Sequence, residues 1–569
     1  MTTITATPPP KGEEKPRYRV KRMADGTLGY RRVMPRPAYR DADPFPVGAA
    51  SDILWSPISG SPDQAVQRSR DVAQQKARDL FRNDPWMGPG AGRKADAVVG
   101  SNIRVAHRPN WRALGMSPEE GPTWAESFSR TVEGLFDMWA NDISRRCDTH
   151  RHMLFGGIVR AAYLAMERDG ELFMLVRHTD PAQRGGMFGL NVEIIDPERV
   201  SNPSGKPESA RLKNGITLDE NGAETGFWVR KRHPADPTYA DEQSLLDAND
   251  WVWFPREMEW GRPVAIHWFN KEWAEQRRGI SRFVTGLRKS RMFDQFDDNT
   301  LKSAALAALL SMHVKSNFDA ETVRGMLAPS TESEDGDLMT FEEARLEYYS
   351  KSKLNAEGAR IAVLPIGDDL VVQSPAKTHV GYKEFATAML RSLASTLGTT
   401  YEQLALDFTQ TTYSSARAAL GEIWRSTIRE RHDFCQAVCT PIFSAFVEEV
   451  VTTGMVAMND NMPDFDLYRT AYCQAAWVGP ARGVIDPEKE SKANQQDYDS
   501  GFVTYEEIIA ERGGDWREVI DQRAAEKAYA EAKGVTLGTP PKADAAEEPT
   551  ANPRGNDDEE APPTRREAA

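Results

Sequence analysis

GYKEFATAMLRSLASTLGTTYEQLALDFTQTTYSSARAALGEIW, residues 381–424, is the stretch around which the chain is organised. In its first half Tyr382, Phe385, Met389, Leu393 and Leu397 fall three or four apart, which predicts one apolar stripe along a helix of period 3.6. Gly398 fits the C-terminal stop, because glycine enters the left-handed conformation there without steric cost. Thr399 is expected to cap the next helix, with Glu402 three residues on closing a capping box. After Leu404 the segment LDFTQTTYSSAR holds hydroxyls, two aromatics and hardly any charge, so it reads as an exposed loop. A second helix is predicted from near Ser414, its stripe running through Leu420, Ile423, Trp424, Ile428, Cys435 and Val438. Pro441 lies inside that apolar run, so a kink or break is expected there.

The order of these residues carries more than their periodicity. The GYKEF spacing, then LGTTYEQL, then TTYSSARAALGEIW, resembles the lambda family of tailed-phage portal proteins. In that family the segment forms a stem helix, the loop that reaches into the DNA tunnel, and the long kinked helix behind it. HRPNWRALG, DGELFMLV, IIDPERVSNP and TGFWV follow the family's wing domain in the same order, and FDLYRTAYCQAAWVGPARGVIDPEKE resembles it again further on. The resemblance runs collinearly over roughly residues 75–530.

Composition bounds the reading. Length alone, 569 residues, suggests two to four domains. Hydrophobic residues at 40% and charged residues at 27% are ordinary for a soluble globular chain. No uninterrupted apolar run approaches the roughly 20 residues of a membrane helix, and MTTITATPPPKGEEKP has no apolar signal core. Four cysteines, Cys147, Cys435, Cys439 and Cys473, indicate a reducing compartment rather than a disulfide framework. The net charge of −14 argues against a surface that grips duplex DNA by neutralising phosphates. It does not argue against one that lets DNA slide past.

Taken in order, residues 1–60 read as a mobile basic arm rich in Pro, Arg and Lys. Its cluster Arg17, Arg19, Lys21 and Arg22 either touches nucleic acid or is a solvated tail, and the second reading is preferred. Residues 62–100 read as helices with a break at Asp84 and Pro85. Long helices are expected to about Arg168, then strands over 171–176, 191–196, 216–218 and 226–229, the last two flanking the turn Asp219-Glu-Asn-Gly. Another short strand is expected at 264–269. A long helix is expected over 278–312, its half at 303–310 almost all Ala and Leu, which allows close backbone packing. Between the stem helices lie an acidic loop (330–337), a short helix (341–349) and strands at 361–364 and 370–372.

Three chemical constellations stand out in the sequence. Gly88-Pro-Gly-Ala-Gly-Arg-Lys resembles a phosphate-binding loop, but Arg93 stands where the second Gly must be and Ala95 follows Lys94. A turn opening the following helix is the better account. His432, Cys435 and Cys439 fall at i, i+3 and i+7, a spacing that fits a soft metal, yet only three ligands are local, so helix-face packing is preferred. Trp251, Trp253, Trp260, Trp268 and Trp273 lack regularly interleaved Lys or Arg, so core or interface packing is preferred over stacking on single strands. No HExxH, GxSxG, paired CxxC or Walker motif is present.

The resemblance implies an α+β portal fold, mostly α in wing, stem and crown with small β elements in wing and clip, assembled as a ring. It divides the chain into an arm (1–60), wing (61–277), stem helix (278–312), clip (313–378), stem helix and capped turn (379–404), tunnel loop (405–416), long kinked helix (417–455), crown (456–532) and disordered tail (533–569). It implies a homododecameric channel at one capsid vertex, with the terminase large subunit, major capsid and scaffolding proteins, a head-tail adaptor and non-specific double-stranded DNA as partners. No membrane, cofactor, metal or catalytic residue is implied. The channel-loop residues are Asp407, Phe408, Thr409, Gln410, Thr411, Thr412 and Tyr413. A packaging motor or nuclease, or a monomeric helical scaffold, are the alternatives.

Overall fold

The computed structural model describes residues 61–236, 250–309, 381–409, 412–458, 462–483, 486–535 and 537, together with the backbone of strands at 18–22, 28–32, 312–316 and 368–372. The chain divides into two units, residues 1–485 and 486–569.

In the first unit, β1 (Tyr18–Arg22) and β2 (Leu28–Arg32) pair antiparallel, so the arm expected to be unstructured contains a hairpin. Helix α1 (Pro62–Asn83) is capped by Ser61, whose hydroxyl accepts from the Gln64 amide, and ends at the expected break. Helix α2 (Met87–Val98) then begins just before the glycine run and takes in all of it, so the run is helical rather than a turn. The reason is packing. A Cβ at Gly88 would be driven into the Phe81 carbonyl oxygen, and one at Gly90 would lie 2.6 Å from Leu397 and 2.7 Å from Leu404. Glycine weakens a helix intrinsically, by about 1 kcal/mol relative to Ala, but here it lets α2 approach its neighbours closely.

Strand β3 (Arg104–His107), α3 (Gly121–Ala140) and α4 (Phe155–Asp169) follow. Strands β4 (Leu172–His178) and β5 (Leu190–Ile195) pair antiparallel. The unbroken apolar run of β4 is explained by burial on both faces. Leu172, Met174 and Val176 join the core formed with α3 and α4, whereas Phe173 and Leu175 join a second core. That second core lies on the meander of β6 (Leu212–Lys213), β7 (Ile216–Leu218), β8 (Glu224–Arg230) and β9 (Trp251–Pro255), which includes the expected hairpin. Strand β10 (Ala265–Trp268) completes the β4 sheet on its other edge.

The helix expected over 278–312 is shorter. Arg278 is buried, with its guanidinium on Glu171 at 2.7 and 2.8 Å and on the carbonyls of Pro197, Val200 and Asn214. That ties the segment to the sheet and prevents a helix there. A 3-10 turn (Arg282–Thr285) intervenes, and α5 runs Leu287–Leu309. Strands β11 (Met312–Ser316) and β12 (Asp368–Val372) pair antiparallel. The acidic loop, the 341–349 helix and the 361–364 strand lie outside the described residues, as does most of the tail.

Helix α6 (Tyr382–Leu397) packs Leu390, Leu393, Ala394 and Leu397 into a third core with α1 and α2. Phe385, on the expected stripe, is exposed but meets Phe296 of α5 at 4.4 Å between ring centroids. Helix α7 (Tyr401–Ala405) is capped one residue later than expected, by Thr400 with Gln403 in the capping box. Thr399 is not available, because its amide and that of Gly398 close the end of α6 on the Ala394 and Ser395 carbonyls. Helix α8 (Tyr413–Phe434) passes through a π-turn (Cys435–Cys439) into α9 (Thr440–Thr452). The Thr440 amide donates to the Cys435 carbonyl, five residues back, and this shift of register accommodates Pro441 without ending the helix. By length and composition the stretch Arg417–Thr452 could cross a membrane, but most of its apolar window is buried inside the fold. On α8, Ile428 is exposed and Thr427 is buried in its place.

Strand β13 (Ala475–Val478) pairs with β3, so the first part of the segment expected as crown belongs to the first unit. The second unit contains α10 (Pro487–Asp499), α11 (Tyr505–Glu511) and α12 (Trp516–Lys533), with a capping box at Thr504 and Glu507.

The close approach of α2 has a measurable consequence. Gly88→Ala is expected to destabilise the fold by on the order of 2 kcal/mol, since backbone cannot yield cheaply to the new methyl. Gly92→Ala, whose Cβ would meet nothing nearer than Arg160 at 3.8 Å, is expected to stabilise by about 0.5–1 kcal/mol. Thermal denaturation of the two variants beside wild type reads the opposite signs.

Candidate functional site

The candidate loop leaves α7 at Leu406, which takes a left-handed φ of 53°. Leu406 is 64% and Phe408 58% exposed, so the apolar tip is not packed against the described residues. Asp407, the loop's one acid, accepts from the Tyr401 hydroxyl at 3.0 Å and from the Thr409 amide and hydroxyl at 3.1 and 2.7 Å. The Thr409 hydroxyl and amide, then Tyr401, hold its pKa below the ordinary carboxylate range. Gln410 and Thr411 lie outside the described residues, and Thr412 is exposed. Helix α8 starts at Tyr413, so the loop is shorter than the expected 405–416. Residues Asp407, Phe408 and Thr409 therefore share one turn, while Tyr413 belongs to the helix.

What holds this loop is α2. Leu397 and Leu404 pack against Gly90, and the Arg93 guanidinium donates to the Leu404 carbonyl at 2.7 Å. On the other flank, Arg431 near the end of α8 donates to the Val98 and Ala97 carbonyls at 2.7 and 2.9 Å. These are carbonyls of the last turn of α2, left unpaired by the helix and favourable to a cation. One helix thus grips the chain before and after the loop.

Between the two grips lies a buried polar network. Lys94 Nζ is 3.2 Å from Glu167 and 2.9 Å from Glu430, and Arg282 is 2.9 Å from Glu167 and 3.0 Å from Glu430. The Tyr163 hydroxyl donates to Glu430 at 2.9 Å. Two cations therefore face two anions drawn from α2, α4, α8 and the turn before α5. Burial alone would raise the Glu430 pKa, but the charges of Lys94 and Arg282 outweigh it and hold it down to about 2. Burial, with Glu167 and Glu430 beside it, pushes the Tyr163 pKa well up, so it remains a donor. Such a network adds little net stability over apolar packing, yet losing one partner strands a buried charge.

The sequence reading singles out neither Arg93, Lys94, Glu167, Arg282, Glu430 nor Arg431 as part of the site. The signal available to it was the Arg93-Lys94 pair in the rejected phosphate-loop motif. The metal constellation does not assemble: His432 is exposed beside Asp433, whereas Cys435 and Cys439 are buried. Among the described residues no cluster of His, Cys, Asp and Glu could hold a metal ion. Of the tryptophans, Trp251 is buried, and Trp253, Trp260 and Trp273 are partly exposed.

Glu430→Gln is expected to cost on the order of 3 kcal/mol at pH 7 by leaving an excess buried cation. A carboxyl with a depressed folded pKa stabilises fully above its unfolded value of 4.5 and loses that contribution as pH falls toward about 2. The gap in melting temperature between wild type and variant should therefore narrow between pH 5 and pH 3. A gap unchanged by pH would contradict the assignment of charge to Glu430.

Comparison with known proteins places these features in a family. The family described as phage portal protein, lambda family, matches residues 51–431. The portal protein of Escherichia phage N15 and portal protein B of Escherichia phage lambda are each 29% identical over 483 residues, covering 84% of this chain and 88% of theirs. Among solved structures, a chain in the neck of an empty gene transfer agent particle is similar with a TM-score of 0.41 and 12% identity, over 77% of this chain and 93% of that one. The chain belongs to the lambda family of phage portal proteins.

Proposed function

We propose that this portal subunit assembles with copies of itself into a closed ring, a homododecamer, set at one capsid vertex. The ring conducts double-stranded DNA inward during packaging and outward at ejection, and joins head to tail. In this reading residues 313–378 form the clip on which the terminase large subunit and later the head-tail adaptor dock. Capsid and scaffolding proteins surround the wing. The chain itself catalyses nothing; the packaging ATPase supplies the work.

The observation that carries the reading is the contrast at the loop. Its flanks are fixed by α2, yet Leu406 and Phe408 at its tip are largely exposed among the described residues. A tip turned to the channel would meet passing DNA with hydroxyls, amides and aromatic edges, and its one acid is already occupied by Tyr401 and Thr409. Such groups make hydrogen bonds to phosphates but no strong ion pair, so the duplex is touched without being pinned. Twelve chains at −14 carry about −168 in total, which further discourages adhesion.

Deleting residues 408–412 is expected to leave rings assembling at wild-type yield, because the α2 grips lie outside the deletion, while lowering the yield of stably filled heads several-fold. The paired measurement is ring yield by sizing and packaged DNA by nuclease protection. Loss of rings would assign the loop to a subunit interface instead, and intact rings with undiminished packaging would remove any role for the tip.

A further inference from the structure

The turn between α3 and α4 and the turn between β4 and β5 bring arginines together. Arg145, Arg146 and Arg151 come from the first turn, and Arg184 from the second, at the end of the one-turn helix Pro181–Arg184. Asp148 ties the first turn to β5 by a bridge to Val192. Arg146 Nε and Arg151 Nη2 both donate to the Arg184 carbonyl, at 3.3 and 3.1 Å, so their guanidiniums are immediate neighbours. Arg184 Nη2 in turn donates to the Asp148 and Thr149 carbonyls at 2.8 and 3.4 Å. Three side chains are thus interlocked on main-chain oxygens, which bring no net charge to offset them.

The carboxylates of these turns do not balance the cluster. Asp142 pairs with Arg146 at 3.0 Å. Asp148 is buried and accepts from the amides of His150, His152 and Met153 at 3.1, 2.8 and 3.0 Å. Asp180 accepts from the Ala182 amide. Among the described residues Arg145, Arg151 and Arg184 have no carboxylate partner. Arg184 Nε is buried without an acceptor, a state that few buried donors are left in. Burial, and after it the charge of Arg151, lower the Arg184 pKa. In a chain of net charge −14, like charges are packed against one another here.

The backbone is shaped to the same end. Arg145 and Arg151 are exposed and take left-handed φ values of 52° and 56°. Residues with a Cβ enter that region at a cost, and such strain gathers at ligand sites. Arg146 lies against Gly186, where an added Cβ would come within 2.7 Å of its Cδ. An oxyanion relieves a cluster of this kind, because each guanidinium offers paired donors in a fixed fork. A phosphate group suits several guanidiniums better than a carboxylate does, since it carries up to two charges and three strong acceptor oxygens.

We propose that the arginines of these two turns form a binding site for a phosphate group, either free or in the backbone of a polynucleotide. The site uses none of the residues of the loop at 407–413 and does not depend on that loop's orientation.

The test compares the full chain with Arg145→Gln/Arg151→Gln, two exposed positions, by isothermal titration with inorganic phosphate at constant ionic strength. A hydrogen bond to a charged group is worth roughly a factor of ten or more, so the variant's affinity should fall at least about tenfold. A control at two exposed cations elsewhere, Arg211→Gln/Arg425→Gln, should keep the wild-type affinity, and matching melting curves would verify that both variants fold. The second arm titrates a labelled random-sequence duplex of about 30 base pairs by fluorescence anisotropy across roughly 50–200 mM KCl. A site for the polynucleotide backbone predicts that the variant loses about 2 from the slope of log Kobs against log salt, one contact contributing about 0.9. A site for free phosphate predicts an unchanged duplex slope beside the lost phosphate affinity. Equal behaviour of wild type and variant in both arms would overturn the proposal, as would an equal loss in the control. Polyglutamate bound by wild type and lost in the variant, with no phosphate binding in either arm, would overturn it in favour of an acidic protein partner.

Discussion

The grip of α2 on both flanks of the loop is the constraint on which the rest of this architecture depends. Gly88 allows the helix to approach the backbone of α1, and Gly90 makes room for the leucine side chains of α6 and α7. Arg93 then fastens the exit of α7, and the last turn of α2 receives Arg431 from α8. A side chain at either glycine would force the helix or its neighbours to shift. Packing geometry therefore comes first, and the polar contacts that define the loop's position follow from it.

The Lys94, Glu167, Arg282 and Glu430 network joins four separate segments of the chain. Buried ion pairs gain little over apolar packing of the same shape, but they tolerate few alternative arrangements. Here they require α2, α4, α8 and the turn before α5 to meet in one register. Arg278 does the same one step earlier, holding the approach to α5 on Glu171 and three carbonyls. The root of the α5–α6 pair is thus fixed by charges, and Lys289 adds a bond to Ser392 at 2.6 Å between the two helices. Further along, Phe296 with Phe385 and Tyr382 joins them by ring contact.

Much of this was legible in the sequence because it is local. The strand β4 follows from its apolar run, the β7–β8 hairpin from its turn residues, and the end of α6 from Gly398. The errors were also local in origin. Thr399 looked like a cap because the demand of Gly398's terminal motif on its amide is a three-dimensional fact. The glycine run of α2 looked like a turn because the side chains and carbonyl that need the space come from Phe81, Leu397 and Leu404. Arg93 and Leu404 are separated by 311 residues, so no window along the chain could pair them. Pro441 signalled a kink or break, and a π-turn absorbs it without ending the helix. Site residues were legible only as an exposed loop with little charge; the residues that hold it were not.

The account's central claim is that a ring of these chains presents residues 407–413 to a central opening on flanks held by α2. A reconstruction of the purified, assembled protein by electron cryo-microscopy tests it most directly. The account predicts a closed ring with density for Asp407, Phe408 and Thr409 of every subunit around the opening, and with Arg93 and Arg431 on their α2-linked partners. A monomer, an open assembly, or a ring with this loop on its outer surface would contradict it.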